Sequence, residues 1–176
     1  SAATQNDKDN SNNRYKPIIY SNMAKIKWLW SIAIAMGIVI LYASLSAYFV
    51  KIDGWYFQLK LPPLALSPKG MAIGWSIAYI VNIAIIARLI FYREHAPIIL
   101  PLVIIGIVNI IWCMCFFTFR CALAGFILLI IQCILVFAVF IMLIRRDSLS
   151  MILSQPLLAW YIYLTVTNYY IYVLNI

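Results

Sequence analysis

Five long apolar runs, at residues 28–50, 70–91, 97–119, 121–144 and 148–175, occupy most of this 176-residue chain, and charged side chains fall between them. No Asp, Glu or Lys lies inside any run, and Arg88 alone intrudes, about one turn from the end of the second. A charge at the centre of a bilayer costs roughly 2.5–3.5 kcal/mol on insertion scales, so this exclusion is what a lipid solvent imposes. Each run exceeds the roughly 20 residues needed to cross a hydrocarbon core. The runs are continuous rather than alternating every second residue, which excludes barrel strands and leaves the helix, whose backbone satisfies itself. The pattern predicts an all-α integral membrane protein, a five-helix transmembrane bundle.

The connections are unequal. Residues 92–96, residue 120 and residues 145–147 form short turns that force antiparallel neighbours. The connection over 51–69 is long, and loops beyond about 12–15 residues are usually functional lids or disordered. It carries Trp55, Tyr56, Pro62, Pro63 and Pro68 together with Leu59, Leu61, Leu64 and Leu66, a composition that predicts a long ordered loop capping one mouth of the bundle. The plainer alternative is a loop lying in the interface, where Trp and Tyr gather in any case. No internal repeat is visible and the span count is odd, both of which weigh against transporters built from inverted repeats.

Residues 1–22 are polar and Asn-rich without an apolar core, so they form no signal peptide. They read as a disordered tail or an expression remnant, with Met23 a plausible start and 23–176 a single five-helix domain. A hydrophobic share of 66% against 10% charged residues excludes a soluble domain and leaves no room for a second one. The net charge of +8 flanks the spans and forms no basic face, so membrane lipid rather than nucleic acid is the expected surrounding. With the N-terminus cytoplasmic, Lys8, Arg14, Lys16, Lys25, Lys27, Arg88, Arg93, Arg145 and Arg146 lie inside, and Lys51, Lys60, Lys69 and Arg120 outside. That bias predicts a cytoplasmic N-terminus and an outer C-terminus. Cys113, Cys115, Cys121 and Cys133 cluster in or beside the third and fourth runs, away from the single His95. They read as buried small hydrophobes rather than metal ligands, and no metal site is expected.

More specific signals sit in the loop and spans. Trp55 and Tyr56 are followed by Leu59, Pro62, Trp75 and Tyr79. The third run holds Asn109, Trp112, Phe116 and Phe117, with Arg120 at its end. The last run holds Pro156, Leu158, Ala159, Trp160, Thr165, Asn168, Tyr169 and Tyr170. In order and register, from about residue 28 to the C-terminus, these resemble the TspO/MBR family of tryptophan-rich sensory proteins and translocator proteins. That family's pattern places WYxxLxKP in the first loop, W-x3-Y in the second helix, NxxWSPxFF with a later Arg in the third, and LAW with T-x2-NY in the fifth. The chain departs from it at Leu61, where the family has Lys and this sequence has Lys60 one position early. It also carries Leu64 for a tryptophan, Leu66-Ser67 for a proline pair, and Cys113-Met114 for Ser-Pro. These make it a divergent member, and the cholesterol pattern of some animal members is absent from the C-terminal segment.

The resemblance implies a membrane receptor or sensor that binds porphyrin-type tetrapyrroles (protoporphyrin IX or haem) or similar hydrophobic small molecules in a cavity under the first loop. It further implies a homodimer. The ligand-binding residues it marks are Trp55, Tyr56, Pro62, Trp75, Tyr79, Asn109, Trp112, Phe116, Trp160, Thr165 and Asn168. Physical reasoning agrees for Trp75 and Trp160: both sit mid-span, where an indole N–H wants a partner and a flat ring offers stacking area. The intramembrane amides Asn82 and Gln132 are expected to hydrogen-bond between helices. Arg120 is expected to anchor at the interface or cap helix-terminal carbonyls, with contact to a ligand carboxylate the sharper alternative. Ala43-x3-Ala47, Ala72-x3-Ser76 and Gly74-x3-Ala78 are small-residue pairs that fit internal packing or dimerisation alike. No cofactor is required, and no nucleophile–base pair or paired carboxylates support a conventional enzyme. The alternatives are a light-dependent porphyrin-degrading enzyme working through Trp75 and Trp160, a transporter of the same ligands, and a structural partner with no small ligand.

Overall fold

The structure is a computed structural model that describes the backbone from Ala2 onward and the side chains of residues 21–93 and 97–176. The expected tail over 1–22 lies outside the described side chains except for its last two residues, as does His95. The helices are α1 (Ala2–Phe49), α2 (Gly54–Gln58), α3 (Pro68–Phe91), α4 (Ile99–Cys113), α5 (Ala122–Ile144) and α6 (Ser148–Leu174). A 3₁₀ segment, Arg93–Ile98, precedes α4, and a π-helical turn, Met114–Thr118, follows it. Five stretches are long and apolar enough to cross a membrane: Ser21–Phe49, Pro68–Phe91, Ile99–Thr118, Ala122–Ile144 and Ser148–Leu174. Their bounds fall within about two residues of the predicted runs except at the start of the first, which begins at Ser21 rather than residue 28. Helix α3 starts at Pro68 because Ser67 caps it, its Oγ accepting from the Gly70 N–H at 3.2 Å, and proline suits the first helical position.

The spans close into a ring in the order α1, α3, α6, α5, α4, each touching its neighbours. On α5 the inward positions are Leu129, Gln132, Val136, Val139 and Leu143, all buried, a spacing that keeps one stripe facing the bundle. Its outward positions, among them Ile127, Ile134, Phe137 and Ile141, are exposed and equally apolar, as a helix facing lipid requires. Asn82 and Gln132 differ from expectation. Each donates to the carbonyl four residues back on its own helix, to Ala78 at 3.1 Å and Leu128 at 3.4 Å. Bonds between helices come instead from Asn109, whose Nδ2 donates to Ser46 Oγ at 3.0 Å, from Thr165, whose Oγ1 reaches the Leu129 carbonyl at 3.3 Å, and from Thr118, whose Oγ1 reaches the Phe49 carbonyl at 3.4 Å.

Arg88, the one cation within a predicted run, forms a forked pair with Asp147 at 3.1 and 2.8 Å. Asp147 also caps α6 by accepting from the Leu149 N–H at 3.2 Å and takes the Ser150 hydroxyl at 2.6 Å. A charge that would be costly alone is thereby paired and hydrogen-bonded where α3 ends and α6 begins.

Candidate functional site: an aromatic cavity beneath a latched loop

At the opposite end of the ring the first loop is held down at several points. Asn175 and Lys60 exchange hydrogen bonds, the Lys60 N–H donating at 3.0 Å and the Asn175 amide returning one to the Lys60 carbonyl at 3.1 Å. The Tyr163 hydroxyl accepts from the Leu66 N–H and donates to the Leu64 carbonyl, both at 3.0 Å. Asp53 caps the short α2 by accepting from Trp55 N–H at 3.1 Å and pairs with Arg120 at 3.0 Å. Arg120 sits in the α4–α5 turn with φ of 56°, a left-handed conformation unusual for a residue with a Cβ. The turn therefore directs its guanidinium to the loop, as an anchor rather than a carbonyl cap.

Under this loop lies a cavity of about 400 Å³, within the range of small-molecule sites. Its walls come from α1 (Ala43, Ser46, Ala47), the loop (Tyr56, Leu61, Leu66), α3 (Met71, Ala72, Trp75, Ser76, Tyr79), the end of α4 (Trp112, Cys113, Phe116, Phe117) and α6 (Thr167, Asn168, Ile171). No charged side chain lines it among the described residues. The rings form one connected array. Trp75 stacks on Tyr79 at 5.6 Å and lies 5.9 Å from Trp112, which stacks on Phe116 at 5.9 Å. Consecutive Phe116 and Phe117 both face inward because the π turn adds a residue to the helical register. Gly125 on α5 makes room for this wall: a Cβ there would stand 2.8 Å from Phe116 Cδ2.

Three lining residues keep a buried polar atom without a partner: the Trp112 Nε1–H, the Thr167 hydroxyl and the Asn168 Oδ1. Asn109 Oδ1, Gln132 Oε1 and Trp160 Nε1, away from the cavity, share this state, so the unpartnered atoms mark a bundle poor in polar partners rather than the cavity alone.

Of the residues expected to meet a ligand, Tyr56, Trp75, Tyr79, Trp112, Phe116 and Asn168 line this cavity. The others do not. Trp55 backs the wall edge-on to Phe116 at 5.6 Å, and Pro62 is buried within the loop. Asn109 stands behind Ser46, and the Thr165 hydroxyl is shared between the Tyr161 carbonyl at 2.7 Å and the Leu129 carbonyl at 3.3 Å. Trp160 occupies a separate shallow groove between α3 and α6, its indole laid over Gly74, where no side chain opposes it. It meets Trp75 edge-on at 5.9 Å, and Trp75 stands between it and the cavity. Sequence reasoning missed Ser46, Met71, Cys113 and Thr167 as wall residues, since nothing in their identity separates a lining position from a packed one. The pairs Ala43-x3-Ala47 and Ala72-x3-Ser76 were a usable signal, because small side chains at these places leave the volume open.

Among curated proteins no sequence matches this one. The model of the TspO/MBR family matches residues 32–174, which takes in most of the first span, the other four, the loop and every wall of the cavity, so the chain belongs to the TspO/MBR family.

Proposed function

We propose that this protein is a membrane receptor or sensor that binds a porphyrin-type tetrapyrrole, or a ligand of similar flatness and hydrophobicity, in the cavity beneath the first loop. Family membership and the five spans support the coarser statement, an integral multi-pass membrane protein that senses, receives or moves hydrophobic ligands. The observation that carries the finer reading is the continuous aromatic wall around a cavity of about 400 Å³ with no charged lining residue among those described. Flat rings favour offset stacking with a flat macrocycle. The reading takes the N-terminus as cytoplasmic, so that the loop faces outward, and takes the assembly as a homodimer. It needs no cofactor.

The test is a titration of the detergent-purified protein with protoporphyrin IX and with haem, in the dark, read by tryptophan fluorescence and then by the ligand's absorption spectrum after release. Saturable quenching with the ligand returned unchanged is the expected result. A spectrum altered only under illumination would move the reading to the degrading enzyme, with Trp75 as its cavity indole. No saturable quenching by either compound removes the porphyrin reading.

A further inference from the structure

The loop is latched, yet the cavity is not closed. Several of its wall residues are exposed, and they fall on α1 and α3, which pack against each other: Ala47 on α1 and Ala72 and Ser76 on α3, with half-buried Ala43 one turn from Ala47. These residues frame a gap between the two helices. Ser76 lies eight residues beyond Pro68, about 12 Å along α3, which puts the gap within the span rather than at its water-facing end. Its inner end is shut where Tyr42 meets Tyr79 at 5.8 Å. Below that contact Ala35 and Val39 on α1 and Asn82 on α3 are buried. The sill is apolar, because the one hydroxyl on it, Ser76 Oγ, donates to the Ala72 carbonyl of its own helix at 2.8 Å.

Two small-residue pairs thus leave a window where larger side chains would have sealed the α1–α3 seam. Lifting the loop instead would break its reciprocal amide pair, both Tyr163 bonds and the Asp53–Arg120 pair. We infer that ligands reach the cavity sideways from the bilayer, through the slot framed by Ala43, Ala47, Ala72 and Ser76, and that the slot admits uncharged, bilayer-dissolved molecules. This rests on the cavity being a ligand site, as proposed above, and adds how it is loaded.

Cys113, a buried wall residue, reports access without any ligand. In lipid nanodiscs, a variant carrying Cys115→Ala, Cys121→Ala and Cys133→Ala keeps Cys113 as its only thiol. Its labelling by N-ethylmaleimide is followed by mass spectrometry, beside a quaternary-ammonium maleimide that stays in water. The expected result is labelling by the uncharged reagent at least about tenfold faster than by the charged one. Ala47→Phe with Ala72→Phe slows it about tenfold, and Asp53→Asn with Asn175→Ala changes it less than about twofold. Acceleration by the loop variants, indifference to the slot variants, or no labelling of Cys113 overturns the slot. A porphyrin titration that fails while this pattern holds would remove the ligand named above and leave the route standing.

Discussion

At the scale of single residues, backbone and space decide more than chemistry does. Gly74 exists to accept the Trp160 indole: a Cβ there would run into the ring. Gly74→Ala is expected to destabilise the protein by about 1–3 kcal/mol, read as a lowered thermal midpoint in detergent, with the cavity and Trp75 left in place. Arg120 offers a finer comparison, because its left-handed turn and its ion pair can be separated. The pair is largely exposed, 55% and 39% for the two side chains, and contributes little. Arg120→Gly is therefore expected to be more stable than Arg120→Ala by about 1 kcal/mol, since both lose the pair and only glycine relieves the backbone. Equal midpoints would mean that the turn carries no strain. The sequence marked Gly74 as a small-residue packing position and Arg120 as an anchor, but the partner of neither was legible in it. The motif marked Trp160 as a ligand contact, but a motif cannot distinguish an indole facing a cavity from one folded over a glycine on the far side of its neighbour.

At the scale of elements, the helices are set by lipid and the junctions by a few polar contacts. The five runs were plain in the sequence because a bilayer excludes charge so strictly, and the loop's order was legible in its prolines and leucines. What holds the loop was not, since Asn175, Tyr163 and Arg120 reach it from places remote along the chain. Asn175→Ala is expected to leave the global midpoint within about 1 kcal/mol while raising amide hydrogen exchange across residues 59–66, because only a local latch is lost. The α3–α6 junction at the other end depends on pH. Burial pushes the Asp147 carboxyl up, but hydrogen bonds from Arg88 and Ser150, with the Arg88 charge, outweigh it and hold the group down at about 2 against 3.8 ordinarily. A depressed value means the folded state favours the carboxylate. Its contribution is complete above pH 3.8 and is lost as pH falls through about 2. Asp147→Asn is expected to lower stability at pH 7 and to flatten the dependence over that acid window, as measured by thermal unfolding across pH.

At the scale of the whole molecule, the ring of helices gathers aromatic side chains from α3 and α4 and polar ends from α6 around one space, roofs it with a latched loop, and leaves α5 outside as support. That arrangement explains why the sequence yielded the fold so readily and the site only in part. Fold follows from the solvent, whereas a lining residue differs from its packed neighbour only by where the helix turns it. The most direct test compares two tryptophans that the motif treats alike and the structure separates. In dark titrations with protoporphyrin IX, Trp75→Leu is expected to weaken binding about three- to tenfold through lost stacking, and Trp160→Leu to leave it within about twofold. Equal weakening by both, or weakening by Trp160→Leu alone, would contradict the placement of the ligand in the cavity beneath the loop.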